Sequence, residues 1–216
     1  IVLVLVAKKT RIGELLFLGS LLGGLLLRGC LLLRGGLLRL LRLGGHSLLG
    51  GHAIRLDDGK VCDVRPLTDL PSTVQLTALE GTISAGFIDL QVNGGGGTLL
   101  NANPCADAIR KIADAHRSFG TVGVLPTVIS DSPQVLAQAV DAALAVKGAK
   151  GVLGLHIEGP HISVIRRGTH DATFLRPLDE LTLDHVRRLR KHEIPVMITV
   201  APEVVSPEEI STLVAM

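Results

Sequence analysis

Residues 151–160 read Gly-Val-Leu-Gly-Leu-His-Ile-Glu-Gly-Pro, an apolar run that ends in a histidine and a carboxylate. The apolar run predicts a buried strand, and the Gly-Pro pair predicts its end. A glutamate that ends a buried strand is costly unless its charge meets a partner, such as a cation. Because parallel α/β folds build their sites at the carboxyl ends of strands, Glu158 is the first candidate for a metal ligand or a catalytic carboxylate.

Predicted strands and helices alternate on both sides of this segment. Residues 87–92 and 122–129 form strand patterns before it and residues 195–200 form one after it, and helical patterns follow the strands. Four βα units with short connections predict parallel strands and right-handed crossovers. We therefore expect an α/β fold in which residues 85–216 form the first half of a (β/α)8 TIM-type barrel with two unpaired edges. A doubly wound sheet is the alternative.

Capping signals predict where three of the helices begin. Asn103 followed by Pro104, and Ser132 followed by Pro133, each place a capping side chain before a proline at the first helical position. Residues 206–209 read Ser-Pro-Glu-Glu, which is a capping box. Gly120 is the predicted stop of the helix that begins near Asn103.

The first 50 residues differ in composition from the rest of the chain. Residues 15–49 are almost entirely Leu, Gly and Arg. Arginines and glycines interrupt every window long enough to span a bilayer, and the basic residues follow the opening apolar run rather than precede it, unlike in a signal peptide. We interpret residues 1–50 as a low-complexity segment whose authenticity is open, with a membrane-surface segment as the alternative.

Residues 51–84 form a small β-rich region that precedes the barrel. The segments 52–56 and 60–64 alternate in the manner of strands, and the Asp57-Asp58-Gly59 stretch between them predicts a hairpin turn.

Composition excludes several classes of function. The formal net charge of +2 is too small to indicate a nucleic-acid or anionic-membrane partner, and the chain has no Trp or Tyr for stacking on bases. The three cysteines, at positions 30, 62 and 105, form no C-x-x-C pair. They predict free thiols in a reducing compartment, so we expect a cytoplasmic protein.

Polar side chains recur where the predicted strands end. Gln91 and Asn93 share one face of the first strand, His156 lies two residues before Glu158, and Glu203 follows the fourth strand. Each has a simpler alternative: the amides can cap a loop, His156 can be a core histidine, and Glu203 can be a solvated carboxylate. The glycines at 94–97 lack the spacing of a phosphate-binding loop. The basic loop after the third strand, which includes His161, is a second candidate for substrate contact.

Five motifs in order carry a family resemblance. The chain resembles N-acetylglucosamine-6-phosphate deacetylases of the amidohydrolase superfamily over roughly residues 50–216, as their amino-terminal portion. The resemblance implies that residues 51–84 are part of a small β-sandwich domain. The motifs are Ala85-Gly-Phe-Ile-Asp-Leu-Gln-Val-Asn-Gly94, Leu125-Pro-Thr127, Gly154-Leu-His-Ile-Glu-Gly-Pro160, Arg166-Arg-Gly-Thr-His-Asp171 and Val200-Ala-Pro-Glu203.

The resemblance implies a role for several residues. Glu158 takes the place of the metal-binding glutamate, and His170 takes the place of a substrate-binding histidine. Gln91 and Asn93 stand where a second metal would have its histidines, and amides are poor zinc ligands beside imidazole or carboxylate. The resemblance therefore implies one divalent metal, zinc or iron. His156 and Glu203 are candidates for supporting residues around it, because they lie at strand ends.

The implied reaction is hydrolysis of the acetamide of N-acetylglucosamine 6-phosphate. The family's catalytic base, its two metal-binding histidines and its phosphate-binding residues come from later strands, so no catalytic base is expected in residues 1–216. We predict that this chain alone is inactive and that the full-length enzyme is a homodimer acting on an amino sugar phosphate. A dihydroorotase-like amidohydrolase and a non-catalytic truncated barrel are the alternatives.

Overall fold

Two compact units make up the part of the chain that the structure describes. One unit contains Ile1–Thr10 and Phe87–Met216, and the other lies within Arg11–Gly86. This computed structural model describes residues 2–6, 29–31, 40–41, 48–78 and 83–216, with side chains for residues 50–78 and 83–216.

The described residues form short strands in the amino-terminal region and alternating strands and helices after residue 86. The elements in chain order are β1 Val2–Val6, β2 Gly29–Leu31, β3 Leu40–Leu41, β4 Leu48–Leu49, β5 His52–Asp57, β6 Lys60–Pro66, β7 Leu76–Thr77, β8 Phe87–Val92, β9 Gly94–Gly95, β10 Thr98–Leu99, α1 Ala106–Arg117, β11 Thr121–Ile129, α2 Pro133–Ala145, β12 Leu155–Glu158, α3 Glu180–Lys191, β13 Val196–Val200 and α4 Pro207–Ala215.

Four parallel strands of the larger unit, β8, β11, β12 and β13, lie side by side in chain order. The helices α1, α2 and α3 lie between successive strands in the chain. A doubly wound sheet reverses its strand order at a switch point, whereas these strands follow one another without reversal, as in a barrel. The predicted α/β class and partial TIM-type barrel are confirmed.

A strand from the amino-terminal segment pairs with one edge of this sheet. β1 runs antiparallel to β13, with Val2 opposite Val200 and Val6 opposite Val196. The prediction of two unpaired edges is therefore wrong for β13, while β8 remains the terminal strand among the described strands. An edge strand presents unpaired N–H and C=O groups, and any extended apolar segment can pair with them. The low-complexity pattern of residues 1–50 gave no signal for that pairing.

The smaller unit contains the predicted hairpin. β5 and β6 pair antiparallel from His52–Pro66 to Asp57–Lys60, and β2 and β7 extend the sheet beside β5. Asp58 and Gly59 connect the strands with φ values of 47° and 73°. Two consecutive residues with positive φ form a tight hairpin turn whose twist matches that of the flanking strands. Asp-Gly is favoured at these two positions because both residues tolerate positive φ. The hairpin prediction is confirmed.

Successive side chains of β12 point alternately to the apolar core and to the face that carries the candidate site. Leu155 and Ile157 are fully buried against the helices, and His156 and Glu158 extend from the opposite face of the strand. The same core contains apolar side chains from every helix of the unit, so sheet and helices share one apolar layer. They include Ile109, Ile112, Ala139, Val140, Val186, Leu189 and Leu213.

Two predicted boundaries differ from the structure. α1 begins at Ala106 after Cys105, and no side chain caps it, because the Asn103 carbonyl accepts the Cys105 N–H at 2.8 Å and turns the chain before the helix. β12 begins at Leu155 rather than at Gly151, since residues 151–154 make only an isolated bridge to β11 through Val152. The stop at Gly120, where φ is 93°, is confirmed.

The capping box of α4 makes a stability prediction. Ser206 Oγ accepts the Glu209 N–H at 3.2 Å, and Glu209 Oε2 accepts the Ser206 N–H at 2.8 Å. Replacing Ser206 with alanine is expected to lower the free energy of unfolding by about 1 kcal/mol, because the Glu209 N–H in the first turn loses its side-chain acceptor. Chemical denaturation measures this loss. The matched control is Ser211→Ala on the exposed face of the same helix, expected to change stability by about 0.5 kcal/mol or less; equal losses would contradict the capping role.

Candidate active site at the carboxyl ends of the strands

The carboxyl ends of the four parallel strands meet at one edge of the sheet. In the register, Thr127 lies beside His156, and Ile129 lies beside Glu158, which in turn lies beside Thr199. Parallel pairing carries these positions to the same height, so their side chains form successive layers on the inner face. The lower layer holds His156 and the upper layer holds Glu158.

His156 joins three strands in the lower layer. Its Nδ1 lies 3.1 Å from Thr127 Oγ1 on β11, and its Nε2 lies 2.8 Å from Thr199 Oγ1 on β13. Thr127 Oγ1 also accepts the Val92 N–H of β8 at 2.9 Å and donates to the Leu125 carbonyl at 3.2 Å. A neutral imidazole has one N–H and one lone pair, so His156 donates to one of these two threonine hydroxyls and accepts from the other.

This environment keeps His156 neutral. The side chain is 1% exposed, and burial lowers the pKa of His156 to about 4 because an imidazolium would lose its hydration. Both ring nitrogens are engaged with threonines, so neither is free to ligate a metal. The core-histidine alternative gains support from these contacts, although the partners are side-chain hydroxyls rather than the backbone. His156 makes no hydrogen bond to Glu158, so it can support Glu158 only by holding β11, β12 and β13 together.

Gln91, Glu158 and His170 converge in the upper layer. Gln91 Nε2 donates to Glu158 Oε2 at 2.9 Å, and His170 Nε2 lies 3.8 Å from Glu158 Oε1. The Glu158 side chain is 18% exposed and that of His170 is 8% exposed. A carboxylate held between an amide and an imidazole at the mouth of the sheet can accept further hydrogen bonds or a cation through its free lone pairs. The structure therefore brings together three of the predicted site residues.

Ser130 is a member of this cluster that the sequence did not reveal. Its Oγ lies 2.7 Å from His170 Nδ1, and both side chains are buried. The serine immediately follows β11, so the one available signal was its position at a strand end. Thr127 and Asp131 share that signal, which left Ser130 without distinction in the sequence.

Neither Asn93 nor Glu203 makes a hydrogen bond or ion pair with the Glu158 carboxylate, whose described partners are Gln91 and His170. The exposed Asn93 accepts the Leu100 N–H on its backbone carbonyl at 3.0 Å. Glu203 lies 3.7 Å from Arg166, with both side chains well exposed. An ion pair of this kind contributes at most about 1 kcal/mol, which suits the alternative of a solvated loop carboxylate.

The loop after β12 is anchored by a histidine. His161 Nδ1 lies 3.0 Å from the Arg176 carbonyl, and His161 Nε2 lies 3.0 Å from Thr182 Oγ1 of α3. Burial lowers the pKa of His161, with hydrogen bonding to the Arg176 backbone acting in the opposite direction. These contacts hold both ends of the loop, so His161 is a structural residue and the loop presents His170 from a fixed frame.

The donor set around Glu158 is incomplete for a catalytic metal. Within the described residues there is no group of three or more His, Cys, Asp or Glu side chains arranged to hold a metal ion. Glu158 and His170 supply two donor groups, and the Gln91 amide meets Glu158 with its nitrogen rather than its oxygen. A catalytic zinc site uses three protein ligands, so these residues do not form one by themselves.

No helix in the described part of the chain has the length and apolar character to cross a membrane.

No protein-family model matches the chain. Relatives are found by sequence. An N-acetylgalactosamine-6-phosphate deacetylase of Shewanella sp. (strain ANA-3) is 41% identical over 170 residues, which are 76% of this chain and 42% of that protein. An N-acetylglucosamine-6-phosphate deacetylase of Haemophilus influenzae is 29% identical over 136 residues, 62% of this chain and 36% of that protein.

Solved structures agree with these relatives. N-acetylglucosamine-6-phosphate deacetylase from Pasteurella multocida matches with a TM-score of 0.64 and 27% identity, covering 78% of this chain and 45% of that one. The Mycobacterium smegmatis structure of that name matches in fold with a TM-score of 0.65 and 24% identity, covering 82% and 48%. The chain thus spans less than half the length of these relatives. Its resemblance to part of a hexosamine 6-phosphate deacetylase is confirmed, and the dihydroorotase-like alternative is not favoured.

Proposed function

We propose that this chain supplies the Glu158 side of the active site of a metal-dependent deacetylase. The reaction converts N-acetylglucosamine 6-phosphate and water into glucosamine 6-phosphate and acetate. The observation that carries the proposal is the cluster of Gln91, Glu158 and His170 at the carboxyl ends of the strands. The relatives that share these segments are amide hydrolases, which gives the cluster its chemical class.

Glu158 is proposed as one ligand of a single divalent metal, zinc or iron. The remaining ligands lie outside the described residues, because those residues supply two donors and a catalytic site uses three. Gln91 fixes the orientation of the carboxylate by donating to Oε2, which leaves Oε1 facing His170. An amide that faces Glu158 with its nitrogen offers no lone pair there, which supports one metal rather than two.

His170 is proposed as the substrate-binding group of this half of the site. Its Nε2 faces the space beside Glu158, and its Nδ1 is engaged with Ser130. An imidazole N–H in that position can donate to an oxygen of a bound substrate beside the Glu158 carboxylate. Neither Glu158 nor His170 is proposed as the catalytic base, which agrees with the expectation that the base is not in residues 1–216.

The sugar is the least constrained part of the proposal, and a second candidate has an observation in its favour. The Shewanella relative, 41% identical, acts on the galactose epimer by its name, whereas the Haemophilus relative is 29% identical. N-acetylgalactosamine 6-phosphate is therefore the second candidate substrate. The two differ only in the configuration at C4, so kcat/KM for each epimer decides between them, with a ratio of tenfold corresponding to about 1.4 kcal/mol.

The further proposals concern the whole protein. We expect a cytoplasmic homodimer that acts on a small amino sugar phosphate without nucleic-acid or membrane partners. The small net charge supports the expectation that there is no nucleic-acid or membrane partner. The free thiols Cys62 and Cys105 support the cytoplasmic location. Light scattering measures the oligomeric state.

Exchange of the proposed ligand tests the function. Residues 1–216 joined to the carboxyl-terminal part of the Shewanella relative are expected to release acetate from at least one epimer, whereas residues 1–216 alone are expected to release none. In the joined enzyme, Glu158→Gln is expected to lower kcat/KM by about 100-fold or more and to reduce the bound metal, because an amide replaces an anionic ligand. Acetate release and metal content per chain are the measurements.

Glu203→Gln is the matched control for that substitution. It makes the same chemical change at the next strand end, where the carboxylate faces the exposed Arg166. We expect kcat/KM to stay within about twofold of the parent, as for a solvated ion pair. Full activity and metal content in Glu158→Gln, or an equal loss in Glu203→Gln, would remove Glu158 from the proposed role.

A further inference from the structure

Ser130 lies where it can determine the protonation of His170. The serine is 5% exposed and His170 is 6% exposed, and the Ser130 Oγ to His170 Nδ1 distance of 2.7 Å is short for a hydroxyl–imidazole pair. A buried imidazole nitrogen without a partner would lose a hydrogen bond on folding. The serine is the partner of the ring nitrogen that faces away from Glu158.

The carboxylate on the other side of the ring sets the direction of this hydrogen bond. An ionised carboxylate has only acceptor sites, and His170 Nε2 lies 3.8 Å from Glu158 Oε1. The neutral imidazole is therefore favoured with its proton on Nε2, facing the carboxylate. Nδ1 then has a lone pair, so the Ser130 hydroxyl donates to it. This arrangement presents an N–H into the space beside Glu158.

Two features of the surrounding backbone hold Ser130 in place. The Asn101 side chain pairs with Ile129 as a strand would: its Oδ1 accepts the Ile129 N–H at 3.0 Å and its Nδ2 donates to the Ile129 carbonyl at 3.2 Å. Asn101 Nδ2 also donates to Asp131 at 2.9 Å. The residues on both sides of Ser130 are thus fixed by the side-chain amide of Asn101, which lies in the turn after β10.

Gly159 provides the space that the Ser130 hydroxyl occupies. A Cβ at this position would overlap Ser130 Oγ and would lie 3.0 Å from Ile162 Cγ1. The φ of Gly159 is 82°, which also favours glycine. Gly159, which follows Glu158, therefore leaves room for the Ser130 hydroxyl beside His170 because it has no side chain.

We infer that Ser130 is a positioning residue that holds His170 in the tautomer with its proton on Nε2, ready to donate to a substrate oxygen beside Glu158. The inference rests on the proposed function for the identity of that acceptor. The hydrogen-bonding geometry itself belongs to the 216-residue chain and is tested without any assay of deacetylation.

Nitrogen NMR of the histidine rings tests the inference. Residues 1–216 are labelled with ¹⁵N-histidine and studied at a pH well above the ordinary histidine pKa, where the ring is neutral. We expect His170 to show a protonated Nε2 and an unprotonated Nδ1 with the shift of a hydrogen-bonded acceptor. In Ser130→Ala that acceptor shift is expected to disappear and the Nδ1–H tautomer to become populated. Ser130→Thr, which keeps the hydroxyl, is expected to restore the parent spectrum.

Thr182→Val is the matched control. It removes a hydroxyl from another buried imidazole, His161, and is expected to change the His161 signals while leaving those of His170 unchanged. An unchanged His170 tautomer in Ser130→Ala, or a protonated Nδ1 in the parent chain, would overturn the inference. If Ser130→Ala does not fold, the parent spectrum and that of Ser130→Thr still decide it. Absence of deacetylation in the joined enzyme would count against the proposed function alone.

Discussion

Replacing Gly154 with alanine is expected to abolish the stable fold of the larger unit. The new Cβ would overlap the Pro195 carbonyl oxygen and would lie 2.8 Å from the Pro195 carbonyl carbon. The same carbonyl accepts the Leu155 N–H at 3.0 Å, so the pairing of β12 with the chain before β13 would have to open. Backbone cannot yield as a flexible side chain does. We expect a loss of about 5 kcal/mol or more, which equals or exceeds the whole stability of a domain at the lower end of the ordinary range.

Circular dichroism and chemical denaturation of purified Gly154→Ala measure this effect. Gly123→Ala is the matched control, because the three atoms nearest its Cβ would all belong to the side chain of Leu153, at 2.9–3.0 Å. Leu153 can move, so the expected loss is about 1–3 kcal/mol with the cooperative transition retained. A Gly154→Ala protein as stable as Gly123→Ala would show that β12 and the Pro195 segment are not packed as closely as described.

Acidification from pH 6.5 to pH 4 is expected to remove about 3 kcal/mol of stability through His156 alone. The pKa of His156 is lowered by burial to about 4, from an ordinary value of 6.5. Below pH 6.5 the unfolded chain therefore binds a proton that the folded chain does not, and stability falls as the pH decreases. The loss levels off below about pH 4, where the folded form also takes up the proton. Above pH 6.5 both states are neutral and His156 contributes no pH dependence.

Denaturant unfolding at a series of pH values measures this dependence. His156→Gln removes the titrating group, so the stability lost between pH 6.5 and pH 4 is expected to be about 3 kcal/mol smaller than in the parent. Thr127→Val is the control: it removes a partner of His156 and lowers stability at every pH, but it keeps the titrating imidazole. Parallel curves for the parent and His156→Gln would contradict a buried neutral histidine. The pKa values of His161 and His185 are also lowered, with burial as the largest cause, so these histidines likewise reduce stability as the pH decreases. Both are present in all three proteins.

Local patterns were sufficient to predict the barrel half. The alternation of strands and helices, the turn at Asp58-Gly59 and the capping box at Ser206 all depend on residues a few positions apart. Predictions failed where a longer-range contact competed. The pairing of Val2–Val6 with β13 joins segments nearly 200 residues apart in the sequence, and no local pattern encodes it.

The site was predicted only in part, because local patterns reveal some of its residues and long-range contacts decide the others. Glu158 and Gln91 were identified because a polar residue at the end of an apolar strand is visible in the sequence, and the register then placed them 2.9 Å apart. His170 came from the family resemblance. Ser130 was not found, because its importance depends on a partner 40 residues away. Glu203 was included for its place at a strand end, although its side chain lies with Arg166.

The sequence by itself determined the order of the βα units, the face of β12 that carries His156 and Glu158, and the composition of its core. Those properties follow from periodicity and from the preferences of single residues. The tertiary structure decided which hydroxyls meet His156 and His170 and why Gly154 has no room for a side chain. Such contacts depend on strand register and on loops that return from elsewhere in the chain, and a hydrogen bond or an overlap is decided by differences of less than an ångström.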